Sequence, residues 1–408
     1  MARRVFFHIG VPKSGTTFLQ DVLWRNRQRL ADQGILLPCQ RRDHLHSTLV
    51  IREHPHIDRR LPSAPGAWDR IVDQTKNWPG TVIISHEFFG AAAPEQAKRA
   101  IDDLAPAEVH IVVTARDYVR QLPGAWQERL KYRSTDRFCD FIADDSEGGP
   151  LTGLGWRTYD ISGVLGRWAI DLPPERVHVV TVPQKSASPG VLWERFAGLC
   201  GIDPDSCDLS AASPNQSLGV AQAELLRRVN FKIAPPIRGP RELAPWIRDF
   251  LAHRILAGRP GQRFGLPQEV TPALRERARR AADGVSAAGY DVVGDLAELI
   301  PPEDQPKFPQ PDAVTDAELL EVATQAIADM LHEYRAQTLR AGRQKRRADE
   351  AERALADARA RPVGSPAVAG RVRQALVDLS ERQPVVMKAR VRYRRTIDAA
   401  RRRRKRRT

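Results

Sequence analysis

The first residues that could do chemistry stand in the loop Gly10-Val-Pro-Lys-Ser-Gly15-Thr-Thr. An apolar run at residues 5–9 precedes the loop and predicts a buried strand, and the apolar spacing of residues 17–33 predicts an amphipathic helix after it. Backbone N–H groups at the start of a helix attract phosphate, because the donors and the helix dipole point the same way. The segment therefore predicts a phosphate-binding loop that uses Ser14, Gly15, Thr16 and Thr17.

The position of the lysine separates this loop from that of the nucleoside triphosphatases. The pattern G-x-x-x-x-G-K-[ST] would need a lysine at position 16, where this chain has Thr16. The lysine is instead Lys13, next to Pro12 at the crest of the loop. An ammonium there would lie beside an inner phosphate rather than along the outer groups of a triphosphate. That arrangement suits a donor whose transferable group hangs directly on a 5′-phosphate.

The order strand, PKSGTT, helix resembles the 5′-phosphosulfate loop of the sulfotransferases that use 3′-phosphoadenosine 5′-phosphosulfate (PAPS). The resemblance covers about residues 3–300. It implies a three-layer α/β fold with a central parallel sheet, of the P-loop nucleoside triphosphate hydrolase-like kind, with PAPS as co-substrate. It also implies that Lys13 neutralises the bridging oxygen as that oxygen leaves, and that Thr16 and Thr17 add hydroxyl groups to the loop.

The rest of the chain favours the same fold class without the resemblance. Short apolar runs at residues 81–85, 108–114 and 176–182 alternate with helical patterns, as in a parallel sheet covered by helices. From about residue 217 to 300 we expect helices and no further strand. A Pro-rich linker follows at 301–311, and then a long helix at 315–360.

A second element would complete the donor site. The resemblance implies a 3′-phosphate site at an Arg just past a strand and a Ser eight residues later. Arg116 follows the run 108–114 and matches, whereas the Ser position holds Gly124. Either a backbone amide, another segment or Arg120, which lies one helical turn after Arg116, would supply that contact, or the affinity for the donor would be weakened.

Further along, Asn215-Gln-Ser217-Leu resembles an Asn-x-Ser-Leu element that lies near the nucleotide in bacterial members of the family. The alternative is that Asn215 and Ser217 only cap the helix predicted at Val220. The Arg-Lys-Gly element of many cytosolic members has no counterpart here.

The acceptor would need a general base, and the predicted strand 81–85 leads directly into His86 and Glu87. The carboxyl edge of a parallel sheet is where open α/β folds place their chemistry. Related carbohydrate enzymes often use a glutamate and small-phenol enzymes a histidine, so Glu87 is preferred and His86 is second. Side chains alternate along a strand, so we expect only one of the two to face the cleft. The alternative is that both merely cap the next helix.

Several other residue groups carry predictions of their own. The sequence has no carboxylate cluster suited to magnesium, and no metal is expected. The four cysteines, Cys39, Cys139, Cys200 and Cys207, form no C-x-x-C pair and read as free thiols of a reducing compartment. Four histidines at 44, 46, 54 and 56 favour an acceptor-facing surface loop over a metal site. The aromatic residues Trp126, Trp156, Tyr159 and Trp168 would either line an acceptor site or belong to the core.

The net charge of +14 is concentrated at one end of the chain. Residues 340–408 contain 23 Lys/Arg and 7 Asp/Glu, which leaves 41 basic and 43 acidic residues before them. We predict an α/β domain at 1–310, a helical extension at 311–360 and a basic, disordered tail at 361–408. The tail would contact an anionic membrane surface or another polyanion, with no specific nucleic-acid binding expected.

No signal peptide or membrane span is expected, which predicts a cytoplasmic protein, with peripheral contact at the inner face of the membrane left open. The predicted function is transfer of a sulfuryl group from PAPS to a hydroxyl or amine of a small-molecule or glycan acceptor. Two alternatives stand beside it. One is a P-loop kinase that uses a nucleoside triphosphate, and the other is a non-catalytic polyanion-binding protein on a degenerate sulfotransferase fold.

Overall fold

The computed structural model of the chain describes residues 2–55, 57, 61–144, 155–184, 190–210, 217–233 and 243–360, with side chains as far as 357. Internal contacts divide the chain into two compact units, Met1–Ala328 and Asp329–Thr408. The first unit contains the sheet and all residues of the candidate site. The described part of the second unit is helical to Ala360.

The first unit is built on six parallel strands in the order β2-β3-β1-β4-β5-β6. The central strand β1 pairs with β3 on one side and with β4 on the other, so that Phe7 lies opposite both Ile84 and Ile111. The predicted fold class is therefore confirmed. The strands are β1 Arg4–His8, β2 Ile35–Leu36, β3 Thr81–Ser85, β4 Glu108–Ala115, β5 Val177–Thr181 and β6 Asp291–Val293.

Thirteen α-helices are present in the described ranges. They are α1 Thr16–Arg25, α2 Arg27–Asp32, α3 Arg41–Ile51, α4 Ala67–Lys76, α5 Pro94–Asp102, α6 Tyr118–Lys131, α7 Phe138–Ala143, α8 Trp156–Tyr159, α9 Ile161–Trp168, α10 Gly190–Cys200, α11 Val220–Lys232, α12 Thr271–Ala287 and α13 Asp316–Ala360. A short 3₁₀ helix occupies Glu87–Ala91 and a π-helical segment occupies Ala244–Leu256.

Alternating side chains of β1 divide the core into two layers. Phe7 packs with residues of α4, α5, α9 and α12 on one face of the sheet. Phe6 packs with α1 and α10 on the other. A third cluster joins α6 to α11 and the π-helical segment. Because both faces of the sheet are covered, its strands read as continuous apolar runs in the sequence.

Two predicted elements differ from the structure. The helix predicted over residues 17–33 is interrupted at Asn26, whose buried side chain donates to the backbone oxygens of Val22 and Asp208 and accepts from the Asp208 N–H. The prediction of no strand after residue 217 is wrong, because β6 pairs in parallel with β5.

The prediction of a histidine-rich surface loop is wrong for His44 and His46, whereas His54 follows α3 and is half-buried. His44 and His46 lie on α3 and are buried. His44 Nδ1 accepts from the Ser85 N–H at 3.0 Å and Nε2 donates to the Pro38 oxygen at 2.9 Å. Burial lowers the pKa of His44 to about 4, so the ring is neutral and serves to join α3 to β3. His56 lies outside the described residues.

Two further findings concern the predictions on membrane spans and thiols. None of the described helices combines the length and the apolar character that crossing a membrane requires. All four cysteines are free; Cys39 and Cys200 are buried, Cys207 is partly buried and Cys139 is exposed.

Candidate active site

A cleft of about 1000 Å³ opens at the carboxyl edge of the sheet, above the end of β1. The chain leaves β1 toward β2 and β3 on one side and later returns to β4 on the other side. Ligands of open α/β folds bind at such a reversal of strand order, because the loops diverge there and leave a crevice. The cleft is lined by the loop after β1, the residues after β3, and one face of α6 along its length.

The backbone of the loop takes conformations that explain its glycines. Gly10 and Gly15 have φ angles of 116° and 84°, in the region that side chains disfavour. A Cβ atom at Gly15 would lie 2.4 Å from Leu192 Cδ2. Helix α1 starts at Thr16 with Gly15 as its N-cap, so no side chain caps the first N–H groups. These N–H groups are the donors that a bound anion would use.

A line of buried polar groups supports the loop from below. His8 Nδ1 lies 2.8 Å from the Ser85 hydroxyl, and His8 Nε2 lies 3.2 Å from the Thr114 hydroxyl. Thr114 in turn lies 2.6 Å from the Ser14 hydroxyl, which donates to the Val11 oxygen at 2.5 Å. Burial lowers the pKa of His8 to about 4, so its ring is neutral with one donor and one acceptor, as this line requires.

The Lys13 side chain lies in the cleft and forms an ion pair. Its Nζ donates to Glu128 Oε2 on α6 at 2.8 Å, and Lys131 Nζ lies 3.4 Å from the same oxygen. A Cβ atom at Gly124 would lie 3.7 Å from Lys13 Cδ, so the stem of Lys13 crosses α6 at Gly124. Burial opposes ionisation of Glu128, but the two ammonium groups outweigh it and hold its pKa at about 2.

The predicted second half of the donor site faces the same cleft. Arg116 Nη1 donates to the Lys13 oxygen at 3.3 Å, and Arg120 donates to Asp117 and to the Pro183 oxygen. Arg116 Nε and Arg120 Nη2 are buried and have no hydrogen-bond partner among the described residues. Burial and the neighbouring Arg120 lower the pKa of Arg116 to about 10. A bound anion would relieve both effects, because it would supply the missing counter-charge.

His86 and Glu87 both line the cleft, so the prediction that only one of them faces it is wrong. The strand ends at Ser85 and a 3₁₀ helix begins at Glu87, so strand alternation no longer applies. His86 Nδ1 accepts from the Phe88 N–H at 3.1 Å, which caps this helix, and burial lowers the pKa of His86. A neutral ring that accepts at Nδ1 carries its proton on Nε2, and it therefore offers the cleft a donor rather than a base.

Glu87 is ionised in this setting. Its Oε2 accepts from Gln20 Nε2 at 3.1 Å and lies 3.8 Å from His86 Nδ1. Burial disfavours the carboxylate, but His86, the Glu87 backbone N–H, Gln20 and Lys13 together lower the pKa of Glu87. An ionised carboxylate that lines the cleft can accept a proton.

Most of the residues predicted for the site line the same cleft. Ser14 is buried and its hydroxyl bonds beneath the loop, so only its backbone N–H is left for a ligand. Asn215 lies outside the described residues. The predicted residues that line the cleft are Pro12, Lys13, Gly15, Thr16, Thr17, His86, Glu87, Arg116, Arg120, Gly124 and Ser217.

Other cleft residues were not predicted from the sequence. Glu128 and Lys131 could have been recognised, since Glu128 follows Arg120 and Gly124 at spacings of four on one face of α6. Gln20 on α1 and Arg263 gave no such signal. The lining contains eight Lys/Arg and four Asp/Glu, so the cleft has an excess of positive charge that favours an anionic ligand.

The four aromatic residues belong to the core rather than to an acceptor site. Trp126, Trp156, Tyr159 and Trp168 are buried in the core, and none of the four lines the cleft. Among the described residues, no group of three or more His, Cys, Asp or Glu is placed to hold a metal ion.

Comparison with solved structures finds similarity to a sulfotransferase from Alicyclobacillus acidocaldarius. The two chains are 17% identical, the match covers 62% of this chain and 98% of the other, and the TM-score is 0.38. No family model matches the chain, and no curated protein matches it. A likeness at that level assigns no function, so the functional inference rests on the residues of the cleft.

Proposed function

We propose that the chain is a sulfotransferase that uses PAPS and transfers its sulfuryl group to a hydroxyl or amine of a small-molecule or glycan acceptor. The observation that carries this proposal is the position of Lys13. The lysine lies at the crest of a loop with open helix-terminal N–H groups, in one cleft with Arg116, Arg120 and Glu87. The resemblance of the loop from Pro12 to Thr17 to the 5′-phosphosulfate loop of the PAPS enzymes indicates the donor.

The residues present fit such a donor. The N–H groups of Gly15 to Thr17 would hold its 5′-phosphate, and Lys13 would neutralise charge on the oxygen that leaves sulfur. Arg116 and Arg120, whose cationic groups are matched in part by Asp117, would hold the 3′-phosphate. At Gly124 the Lys13 stem lies beside the position that a side chain would take, with its Cδ and Cγ at 3.7 and 3.8 Å.

When bound, PAPS supplies an activated sulfur that an acceptor oxygen or nitrogen attacks while the bond from sulfur to the 5′-phosphate breaks. Glu87 would take the proton of the attacking group, because it is ionised and partly exposed to the cleft. His86 would donate a hydrogen bond from Nε2 and orient the acceptor. Positioning and electrostatic stabilisation carry most of the rate in such group transfers.

The donor proposal is tested by nucleotide binding. Adenosine 3′,5′-bisphosphate should raise the melting temperature of the wild-type protein, whereas ATP with magnesium should not. Lys13→Ala should lose most of the shift. Lys98→Ala, which removes an exposed lysine paired with Asp102 on α5, is the matched control and should keep it. Stabilisation by ATP alone would refute the donor and favour a kinase.

The acceptor is then identified by a screen with labelled PAPS over phenols, amines and glycans. The proposed setting is the cytoplasm. The basic residues 361–408 would bring the enzyme to an anionic membrane surface or another polyanion, which binding to vesicles with and without anionic lipid would test.

A further inference from the structure

Glu128 and Lys131 have no part in the donor site proposed above, yet Glu128 pairs with Lys13 and Lys131 pairs with Glu128. We propose that Glu128 is a positioning residue that competes with the donor for Lys13, and that Lys131 takes over Glu128 when Lys13 turns to the donor. This inference rests on the proposed function, since it concerns how the same lysine is released for binding.

The geometry shows one carboxylate shared by two ammonium groups. Glu128 Oε2 lies 2.8 Å from Lys13 Nζ and 3.4 Å from Lys131 Nζ. The Glu128 side chain is 18% exposed and that of Lys131 is 8% exposed, whereas Lys13 is 31% exposed. Attraction between such charges is strong because little water screens them. The nearer and more exposed partner, Lys13, is the one that can leave.

Gly124 provides the path that brings Lys13 to Glu128. The two α6 residues are one helical turn apart on the same face. A Cβ atom at position 124 would touch Lys13 Cδ and Cγ at 3.7 and 3.8 Å. The Lys13 stem therefore lies against the bare helix backbone at Gly124, with its ammonium at Glu128. The departure from the family pattern at position 124 thus coincides with a carboxylate partner one turn further on.

Lys131 makes this exchange possible. If Lys13 alone faced Glu128, its departure would leave a buried carboxylate without a counter-charge, which is strongly unfavourable. With Lys131 in place, Glu128 keeps a partner after Lys13 has moved. Lys131 is itself buried, and burial lowers its pKa while Glu128 opposes that effect. The two residues therefore set the strength with which Lys13 is held away from a donor.

Titration calorimetry with adenosine 3′,5′-bisphosphate tests the exchange. Glu128→Gln should lower the Kd about tenfold and Lys131→Met should raise it about tenfold, because the first releases Lys13 and the second leaves Glu128 to hold it alone. In the double variant that combines Glu128→Gln with Lys131→Met, the Kd should equal that of Glu128→Gln alone. An unchanged or raised Kd for Glu128→Gln would overturn the proposal. A persistent effect of Lys131→Met would overturn the role of Lys131, since that lysine would then contact the nucleotide directly.

A matched control and a nucleotide-free readout separate this proposal from the proposed function. Glu224 is a buried carboxylate that also serves two cations, Arg227 and Arg228, away from the cleft, and Glu224→Gln should leave the Kd unchanged. Without nucleotide, acetylation of Lys13 followed by peptide mass spectrometry should be several-fold faster in Glu128→Gln than in wild type. If no variant binds the bisphosphate, the donor proposal fails while the acetylation rates still decide the exchange. Equal acetylation rates in Glu128→Gln and in wild type would refute the proposed exchange.

Discussion

The polar line beneath the phosphate loop predicts the effect of Thr114→Val. This substitution keeps the shape of the side chain and removes its hydroxyl. His8, Ser14 and Thr114 are all fully buried, so water cannot replace a lost partner. Ser14 keeps its bond to the Val11 oxygen, and the Gly10 oxygen keeps the Thr114 N–H at 2.6 Å. The group that loses its partner is His8 Nε2.

The expected cost follows from that one ring nitrogen. An unsatisfied buried polar group costs about 1–3 kcal/mol, and the added methyl group returns up to about 0.8 kcal/mol. We therefore expect Thr114→Val to lower the free energy of unfolding by about 1–2 kcal/mol. The measurement is urea unfolding followed by tryptophan fluorescence, for which the chain has eight tryptophans.

Thr75→Val provides the matched control. Thr75 is also buried, but its hydroxyl only donates to the Ile71 oxygen within α4 at 2.8 Å. Its replacement should cost less than about 0.5 kcal/mol, because no other buried group is left without a partner. If Thr114→Val were as stable as wild type, or no more costly than Thr75→Val, the polar line would not support the loop.

Three further predictions concern the site and its surroundings. Glu87→Gln should lower turnover by about 10²–10⁴ while leaving the Kd for adenosine 3′,5′-bisphosphate unchanged; normal turnover in a steady-state assay would remove Glu87 from the role of base. Gly15→Ala should lower the free energy of unfolding by about 1–2 kcal/mol, because residue 15 has a left-handed φ and its Cβ would contact Leu192. Gly284→Ala, in an open position on α12, should raise the free energy of unfolding by about 0.5–1 kcal/mol. Shifts of the melting temperature with the same sign in both variants would contradict this expectation. Because the pKa of Glu128 is depressed to about 2, its contribution to stability is present above the unfolded value of about 4.3 and is lost as the pH falls toward 2. The stability gap between wild type and Glu128→Gln should therefore narrow across that window, and a gap independent of pH would show that the carboxylate is not ion-paired.

The sheet could be predicted from the sequence wherever the strands are buried on both faces. The run at residues 81–85 matches β3, Thr81–Ser85, because burial on both faces leaves an unbroken apolar stretch. The edge strand β6 escaped prediction because Asp291–Val293 is short and half-exposed, and only its pairing with β5 makes it a strand. The break at Asn26 was missed for a similar reason, since its partner Asp208 is distant in sequence.

The candidate site could be predicted in part, because the carboxyl ends of parallel strands meet at one edge. That rule alone brings Lys13, Arg116 and Glu87 into one cleft. It does not tell which way a side chain turns. The inward bond of Ser14 and the ion pair from Lys13 to Glu128 depend on neighbours that only the folded chain brings together. Electrostatic partners are therefore the part of the site that the sequence predicts least.

The edge strand β6 has a consequence for how the chain is made. Until residues 291–293 leave the ribosome, the five-residue strand β5 stands at the edge of the sheet with unpaired backbone groups, which can template aggregation. Once β6 pairs, the new edge is three residues long and begins with Asp291, which also binds His178 of β5. A nascent chain stalled shortly before β6 would thus expose the unpaired edge of β5, and a chaperone would be needed most at this stage of synthesis.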